Sequence, residues 1–347
     1  MTQEFIKKKL REYYEKKGVS APFSIEKREF GFGDVKKIDY RHIAFTNEED
    51  LKRHFVDNAP LYASFSSGYY EFPAGRPMEK KQFMGADLIF EFDAEEKDCI
   101  NHNYVACEVC LNKAKEDSIR LIEEFLIPDF GFNKKDIRVS FSGNRGYHIY
   151  VVNEDVKPLN AIARREIVDY VQGNAFDFNR FVKGNKTTKG WGKRFTVAAL
   201  KYAKESKSKK FEDKQRIEKE ILDGNLDLFK GASRTWEKIL QKARVSLNAD
   251  IDKSVTLDLA RLIRLPSTIH GGSSLLCDYV DNLDAYNPFN DAVVFYNVPV
   301  KAKFETDVGK FVLKEETFGP FKKEQTAELP EYAAMLLACK GKIIVND

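Results

Sequence analysis

The sequence predicts a mixed α/β fold, and three observations carry that prediction. Stretches alternating apolar and polar residues, with the period of two of a half-buried strand, occur at 86–95 and 137–152. Stretches with helical spacing lie among them, at Ile6, Leu10 and Tyr13 and again from about Leu111 to Leu126. Finally, 347 residues with 27 Phe, 15 Tyr and a charged fraction of 32% can bury a sizeable core, in one large domain or two. Such a composition folds and is not disordered. The net charge of +3 announces no nucleic acid, so a basic binding surface has to be local. No apolar run approaches the ~20 residues of a membrane span. Met1 to Lys9 is polar and charged, without the apolar core of a signal peptide.

In chain order, the first helix stops at Gly18. Arg28-Glu29-Phe30-Gly31-Phe32 reads as a short strand bounded by Gly33, with Arg28 as either a surface charge or a phosphate contact. Thr46-Asn47-Glu48-Glu49 has the form of a capping box and opens a helix through Leu51 and Phe55 that Pro60 closes. Leu61 to Phe72, rich in Tyr, Phe and Ser, reads as strand. The next stretch, Ala86 to Glu95, is the one that matters most. Its alternation puts Glu91 and Asp93 on one face and sends Phe90 and Phe92 into a core. Two neighbouring carboxylates repel each other. A hard cation between them, Mg²⁺ or Mn²⁺ for oxygen ligands of this kind, removes that cost. An edge strand with a solvated acidic face gives the same pattern.

Cys99, His102, Cys107 and Cys110 follow. This spacing, with its Cys-x-x-Cys half, fits a tetrahedral Zn²⁺ filled entirely by protein, hence a structural metal and not a catalytic one. The alternative is three free thiols and a stray histidine, but thiols crowded in an unsecreted chain argue for metal before disulfides. The helix from Leu111 ends before Pro128. Ile137, Val139 and Phe141 alternate with polar residues and run into Ser142-Gly143-Asn144-Arg145-Gly146-Tyr147-His148, with a further strand through Val152. Two glycines three apart permit a tight turn and close approach of backbone amides to an anion. Ser142, Arg145 and His148 can all donate to phosphate oxygens, Arg145 as a fork. A Gly-rich hairpin turn with a satisfied histidine looks the same.

From Leu159 to Leu247 the chain reads as mostly helical, with helices at Ile162 to Val171, Ile217 to Leu222 and Trp236 to Leu240. A basic run crosses it: Arg180, Lys183, Lys186, Lys189, Lys193, Arg194, Lys201, Lys204, Lys207, Lys209 and Lys210, with Trp191 and Phe195 inside. It is either a solvated face or a surface that tracks phosphates with aromatic contacts. Asp250-Ile251-Asp252 comes next, then a short helical stripe at Leu259, Leu262 and Ile263. Arg264-Leu265-Pro266-Ser267-Thr268-Ile269-His270 is irregular and cationic, a second wall for a triphosphate. Leu275, Leu276 and Val280 give a strand, Asn287-Pro288-Phe289 a turn, Tyr332 to Leu337 a helix and Lys342 to Val345 a last strand.

In this order the pieces resemble the small, catalytic subunit of archaeal and eukaryotic DNA primase. Glu91-Phe92-Asp93 matches that family's acidic-x-acidic strand, and Cys99, His102, Cys107 and Cys110 match its zinc cluster. Ser142 through His148 matches Ser-Gly-x-Arg-Gly-x-His; Asp252, ahead of a Val-Thr pair, matches the third carboxylate; Arg264 to His270 matches the Arg/Lys-x-Pro-Ser-x-x-His-like segment. The Arg-Glu-Phe beginning at Arg28 and the Asn-Pro-Phe at 287–289 also resemble the family, so the matches span 28 to 290. Two departures stand out. Glu91 replaces the usual Asp and reaches about 1.5 Å further, one C–C bond, which shifts either the strand's setback or the preference towards Mn²⁺. Asn144 stands where the family often has a further Arg.

The resemblance implies a primase-type domain of central sheets flanked by helices, formed by 1–158 and 245–347 with a zinc element at 99–110 and a mainly helical insertion at 159–244. It implies synthesis of RNA primers, with DNA as a second possible product, on single-stranded DNA. Glu91, Asp93 and Asp252 would hold two Mg²⁺ or Mn²⁺ ions. Ser142, Arg145, His148, Arg264 and His270 would hold the nucleoside triphosphate, supplemented by Arg28. It further implies a heterodimer with a large primase subunit and a place at replication forks in the cytoplasm of an archaeal cell. The rival readings are a two-metal nuclease, a repair polymerase of the primase–polymerase group, and a non-catalytic zinc-containing nucleic-acid-binding subunit.

Overall fold

The computed structural model describes residues 2–93, 99, 103, 105–174, 189–224, 238, 239, 241 and 249–345. His102, Arg180, Lys183, Lys186, the side chain of Lys210 and most of the helix expected at Trp236 to Leu240 lie outside the described residues. The strands, in chain order, are β1 (Phe30–Gly33), β2 (Tyr40–Ile43), β3 (Tyr62–Ser66), β4 (Gly68–Tyr70), β5 (Phe83–Ala86), β6 (Leu88–Asp93), β7 (Ile137–Phe141) and β8 (Gly146–Val151). They continue with β9 (Leu262–Arg264), β10 (Thr268–Ile269), β11 (Leu276–Tyr279), β12 (Pro299–Phe304), β13 (Phe311–Leu313), β14 (Glu316–Phe318), β15 (Thr326–Pro330) and β16 (Ile343–Val345). The chain is thus mixed α/β, as its alternating and helical patterns require.

Two sheets position the site. One has the order β2-β1-β3-β9, all antiparallel, with Ser64 opposite Arg264. The other has the order β10-β11-β7-β8-β6. In β6 the apolar set Leu88, Phe90 and Phe92 is buried, as the period-two pattern demands, and the strand pairs antiparallel with β8 so that Glu91 faces His148 and Asp93 faces Gly146. Gly146 is required there, since a Cβ would sit 1.8 Å from the Phe92 carbonyl oxygen. The β7–β8 turn is closed by Gly143 at φ +79°, a left-handed conformation that glycine adopts at no steric cost. A third sheet, β15-β12-β16, carries the helix Glu331–Cys339, whose residues from Glu331 to Ala338 are all buried.

Several local expectations shift. The stripe at Leu259, Leu262 and Ile263 is not a helix. Leu262–Arg264 is β9, because pairing with β3 supplies partners that a three-residue stripe cannot supply on its own. The helix Glu48–Asn58 is capped by Asn47, whose Oδ1 accepts from the Asp50 amide at 2.9 Å, and not by Thr46. The stretch 61–72 breaks into β3 and β4, and the helix after the cysteines runs Glu108–Arg120 before a π-turn, Leu121–Leu126. Asn287 caps a short helix, Pro288–Asp291, where the sequence suggested a turn.

The chain divides into two compact units, one of Met1–Glu116, Lys135–Ala161 and Asp252–Asp347, the other of Asp117–Lys134 and Ile162–Ile251. The second therefore includes 117–134, a stretch the sequence reading placed with the catalytic domain. Its helices include Gly190–Glu205 and Lys214–Asp223. Trp191 and Phe195, read as aromatics within a basic run, are buried in it. Arg194 is paired with Asp129 at 2.7 Å and lies over the Phe125 ring at 4.0 Å. Lys193, Lys201 and Lys204 face solvent. Among the described residues, no helix is long and apolar enough to cross a membrane.

Candidate active-site cleft

Between the two sheets of the first unit lies a cleft of about 340 Å³. From the β6 sheet come Glu91, Asp93, Ser142, Asn144 and His148; from the other sheet and its loops come Lys37, Arg41, Ser64, Asp258, Arg261 and Arg264; His270 also lines it. Its volume suits a small polar ligand. Glu91 and Asp93 share one face because they are two apart on a strand. Burial raises the Asp93 carboxyl, and the Glu91 charge beside it raises it further. Burial pulls Glu91 the same way, but the hydrogen bond and charge of His148, with Arg261 and Lys37, bring it down to about 2. His148 Nε2 lies 3.5 Å and Arg261 Nη2 3.9 Å from the Glu91 carboxylate.

Asp252 is brought alongside by its backbone, whose amide donates to the Glu91 carbonyl at 3.1 Å. Its carboxylate is exposed and caps the helix Lys253–Leu257, accepting from the Ser254 amide at 2.8 Å. Among the described residues, the three carboxylates do not converge within 4.8 Å as the cysteines do. Hard divalent cations still suit the set, because they take oxygen ligands and keep several waters between carboxylates. The crowded Glu91–Asp93 pair is the local feature that a cation relieves.

The expected anion-binding residues divide. Ser142 Oγ accepts from the Gly146 amide at 3.2 Å and lines the cleft with Asn144 and His148. Arg145 is 3.7 Å from Asp93 and lines a smaller neighbouring cavity, which Asn144 shares. Arg264 is buried, lies 5.2 Å over the Tyr62 ring, and keeps Nη1 without a hydrogen-bond partner. A buried guanidinium that lines a cleft and lacks a carboxylate partner favours an anion beside it. His270 Nδ1 accepts from the Gly272 amide at 3.1 Å, which leaves the proton on Nε2. Burial, with Arg264 and Lys37 near, holds this imidazole well below its ordinary pKa, so it acts as a neutral donor.

Arg28 stands apart from the cleft. Its guanidinium is buried, donating to the Phe23, Ser66 and Ser67 carbonyls and pairing with Asp87 at 2.6 Å. Every donor nitrogen is engaged within the fold, so the expected phosphate contact is absent here. Asp87, on the residue before β6, also accepts from Tyr69 at 2.8 Å. Sequence reasoning missed Lys37, Arg41, Ser64, Asp258 and Arg261. Arg261, three before Arg264 in a cationic stretch, was the one with a visible signal. The others reach the cleft only through the pairing of β1, β2, β3 and β9.

Cys99, Cys107 and Cys110 bring their sulfurs within 4.8 Å of one another, at 3.6 Å for Cys99–Cys107 and 3.3 Å for Cys107–Cys110, and none is in a disulfide. Burial and the neighbouring sulfurs push the Cys110 thiol up to about 12. Gathering three thiols in this way is costly without a soft cation, and the set fits Zn²⁺ with room for one more ligand.

With that geometry in view, comparison with known proteins decides the family. The sequence profile of the DNA primase small subunit matches residues 92–282. The DNA primase small subunit PriS of Archaeoglobus fulgidus is 34% identical, with 98% of each chain covered. That of Methanococcoides burtonii is 32% identical over 98% of this chain and 97% of its own, and that of Halorubrum lacusprofundi 32% over 98% and 97%. The chain belongs to the DNA primase small subunit family. As a primase small subunit it is the catalytic subunit of a replication primase.

Proposed function

We propose that this cleft joins nucleoside triphosphates into short primers on single-stranded DNA, as a DNA-directed RNA polymerase of the primase type. What carries the reading is that an acidic pair on one sheet and a set of cations and donors on the other line the same cavity. In this reading Glu91, Asp93 and Asp252 hold Mg²⁺ or Mn²⁺, two ions, which when bound lower the pKa of the attacking 3′-hydroxyl and offset charge on the departing pyrophosphate. His148 and Arg261 keep Glu91 ionised and oriented. Ser142, Arg145, His148, Arg264 and His270 hold the triphosphate, with His270 donating from Nε2 and Arg264 from its guanidinium. Holding both ends of the reacting groups aligns attack with departure, which supplies most of what phosphoryl transfer needs.

Cys99, Cys107, Cys110 and His102 hold a structural Zn²⁺ in this reading, a role the gathered sulfurs favour. The core of the first unit serves as the catalytic domain and the helical stretch within 159–244 as an insertion. A large primase subunit completes a heterodimer on a template and RNA primer, in the cytoplasm of an archaeal cell; that the relatives are named as small subunits supports the partner. The test incubates the full chain with Mn²⁺, a single-stranded template and labelled nucleotides. Short products begun without a primer are expected, and none from Asp93→Ala with an unchanged circular dichroism spectrum. Shortening of the template would show a nuclease, extension only from a supplied end a repair polymerase, and full activity in Asp93→Ala would remove the cleft from the chemistry.

A further inference from the structure

The turn between β1 and β2 is built with more order than a surface loop of its exposure needs. Asp39 accepts from three successive backbone amides, Asp34 at 2.7 Å, Val35 at 2.8 Å and Lys36 at 3.2 Å, and its own amide donates to the Phe32 carbonyl at 2.8 Å. Those amides hold its carboxyl below the usual range. Asp34 ties the turn to the rest of the unit through the Leu61 amide at 3.2 Å and Lys7 at 2.6 Å. Gly33 lets the chain close so tightly that a Cβ there would lie 2.0 Å from the Lys36 carbonyl oxygen. Lys37 and Ile38, which follow the three captured amides, line the cleft.

Lys37 differs from the other cations around that cleft. Arg41 is spent on a two-pronged pair with Glu29 at 2.7 and 3.1 Å, Arg261 lies 3.9 Å from Glu91, and Arg264 is buried. Lys37 is exposed to the cleft and, among the described residues, has no ion pair within 4.0 Å. Lysine is a strongly hydrated point charge on a flexible stem, and such a group is placed near a site by its backbone. Here the backbone is fixed by Asp39. We propose that Lys37 is a further nucleotide-binding residue, giving its ammonium to the incoming triphosphate from the side of the β1–β2 turn, and that Asp39 is the positioning residue that holds it there. The inference rests on the polymerase reading of the cleft.

The test uses the full chain in steady-state priming with ATP as the varied nucleotide, together with calorimetric binding of ATP. Lys37→Ala is expected to raise KM and the dissociation constant for ATP about tenfold, at the low end of a charge-assisted contact, with kcat within about twofold. Lys37→Arg is expected to keep most of the affinity. Asp39→Ala is expected to raise KM by a smaller factor, with a lowered melting temperature but a chain still folded at the assay temperature, and to add nothing further to KM in the Lys37→Ala background. Asp39→Asn, which still offers an acceptor, should restore part of the loss. If the wild-type chain binds ATP and Lys37→Ala binds it equally well, the proposal fails and the polymerase reading stands. If Asp39→Ala weakens binding equally with and without Lys37, the positioning role fails. A wild-type chain that binds no ATP overturns both.

Discussion

Asp87 immediately precedes β6 and Asp93 is its last residue, and the chain uses them in opposite ways. Asp87 is sealed against Arg28 and Tyr69, with both partners of the ion pair no more than 3% exposed. Asp93 opens into the cleft, with the Arg145 guanidinium 3.7 Å away. The same side chain is structural where a guanidinium meets it at close range away from water, and chemical where a guanidinium stands further off and another carboxylate lies beside it. Alternation along a strand cannot make that distinction, because it reports a face and not what lies opposite.

Substitutions at the two ends should separate cleanly. The largest effect is expected from Asp93→Ala, which should lower priming at least about a thousandfold, or ~4 kcal/mol, while leaving the melting temperature within a degree or two; a primer-synthesis assay and calorimetry measure both. Asp87→Ala should do the reverse. It leaves the Arg28 charge buried without its partner and should cost about 3–5 kcal/mol of stability, read as a lowered denaturant midpoint, with the folded fraction still binding ATP. Equal loss of activity at matched folded fraction would break the comparison.

Gly31→Val sharpens the boundary between structure and site. A Cβ at Gly31 would lie 2.7 Å from Leu262 Cδ1 and 3.4 Å from Arg41 Cβ, both cleft-lining residues. Overpacking there should cost about 1–3 kcal/mol and also raise KM for nucleotide, so stability and affinity fall together. Asn47→Ala, far from either carboxylate, removes one helix cap and should cost about 1 kcal/mol with priming unchanged.

Glu29 supplies the pH dependence. Burial would raise its carboxyl, but Arg41 and Lys81 more than compensate and hold it below the usual glutamate range. A native pKa below the unfolded one contributes stability that is fully present above the unfolded value and is lost as pH falls through the native one. Acid unfolding of Glu29→Gln, measured by circular dichroism, should therefore depend less on pH below 4.5 than that of the parent chain. A parallel pH dependence in the two proteins would remove Glu29 from the acid transition.

Much of the molecule was legible in the residues. The helix that ends at Gly18, the β6 alternation, the β7–β8 turn around Gly143 and the final helix and strand follow from periodicity and from residues with special backbone freedom. Those features are local, so a short window contains their cause. The cysteine spacing likewise anticipates the three gathered sulfurs.

What the sequence alone determined is the inventory: acidic pair, glycine-bearing turn, cationic segments and thiols, in an order that points to the primase family. What only the tertiary structure decided is which charges face one another. Arg28 and Arg264 are both buried arginines on or beside strands, yet one is consumed by Asp87 and three carbonyls while the other lines the cleft and keeps Nη1 without a partner. Lys37, Arg41 and Asp258 become neighbours of Glu91 only because β1, β2, β3 and β9 assemble into one sheet. Coulomb energy and desolvation depend on distances between residues far apart in the chain, and those distances exist only once the chain has folded.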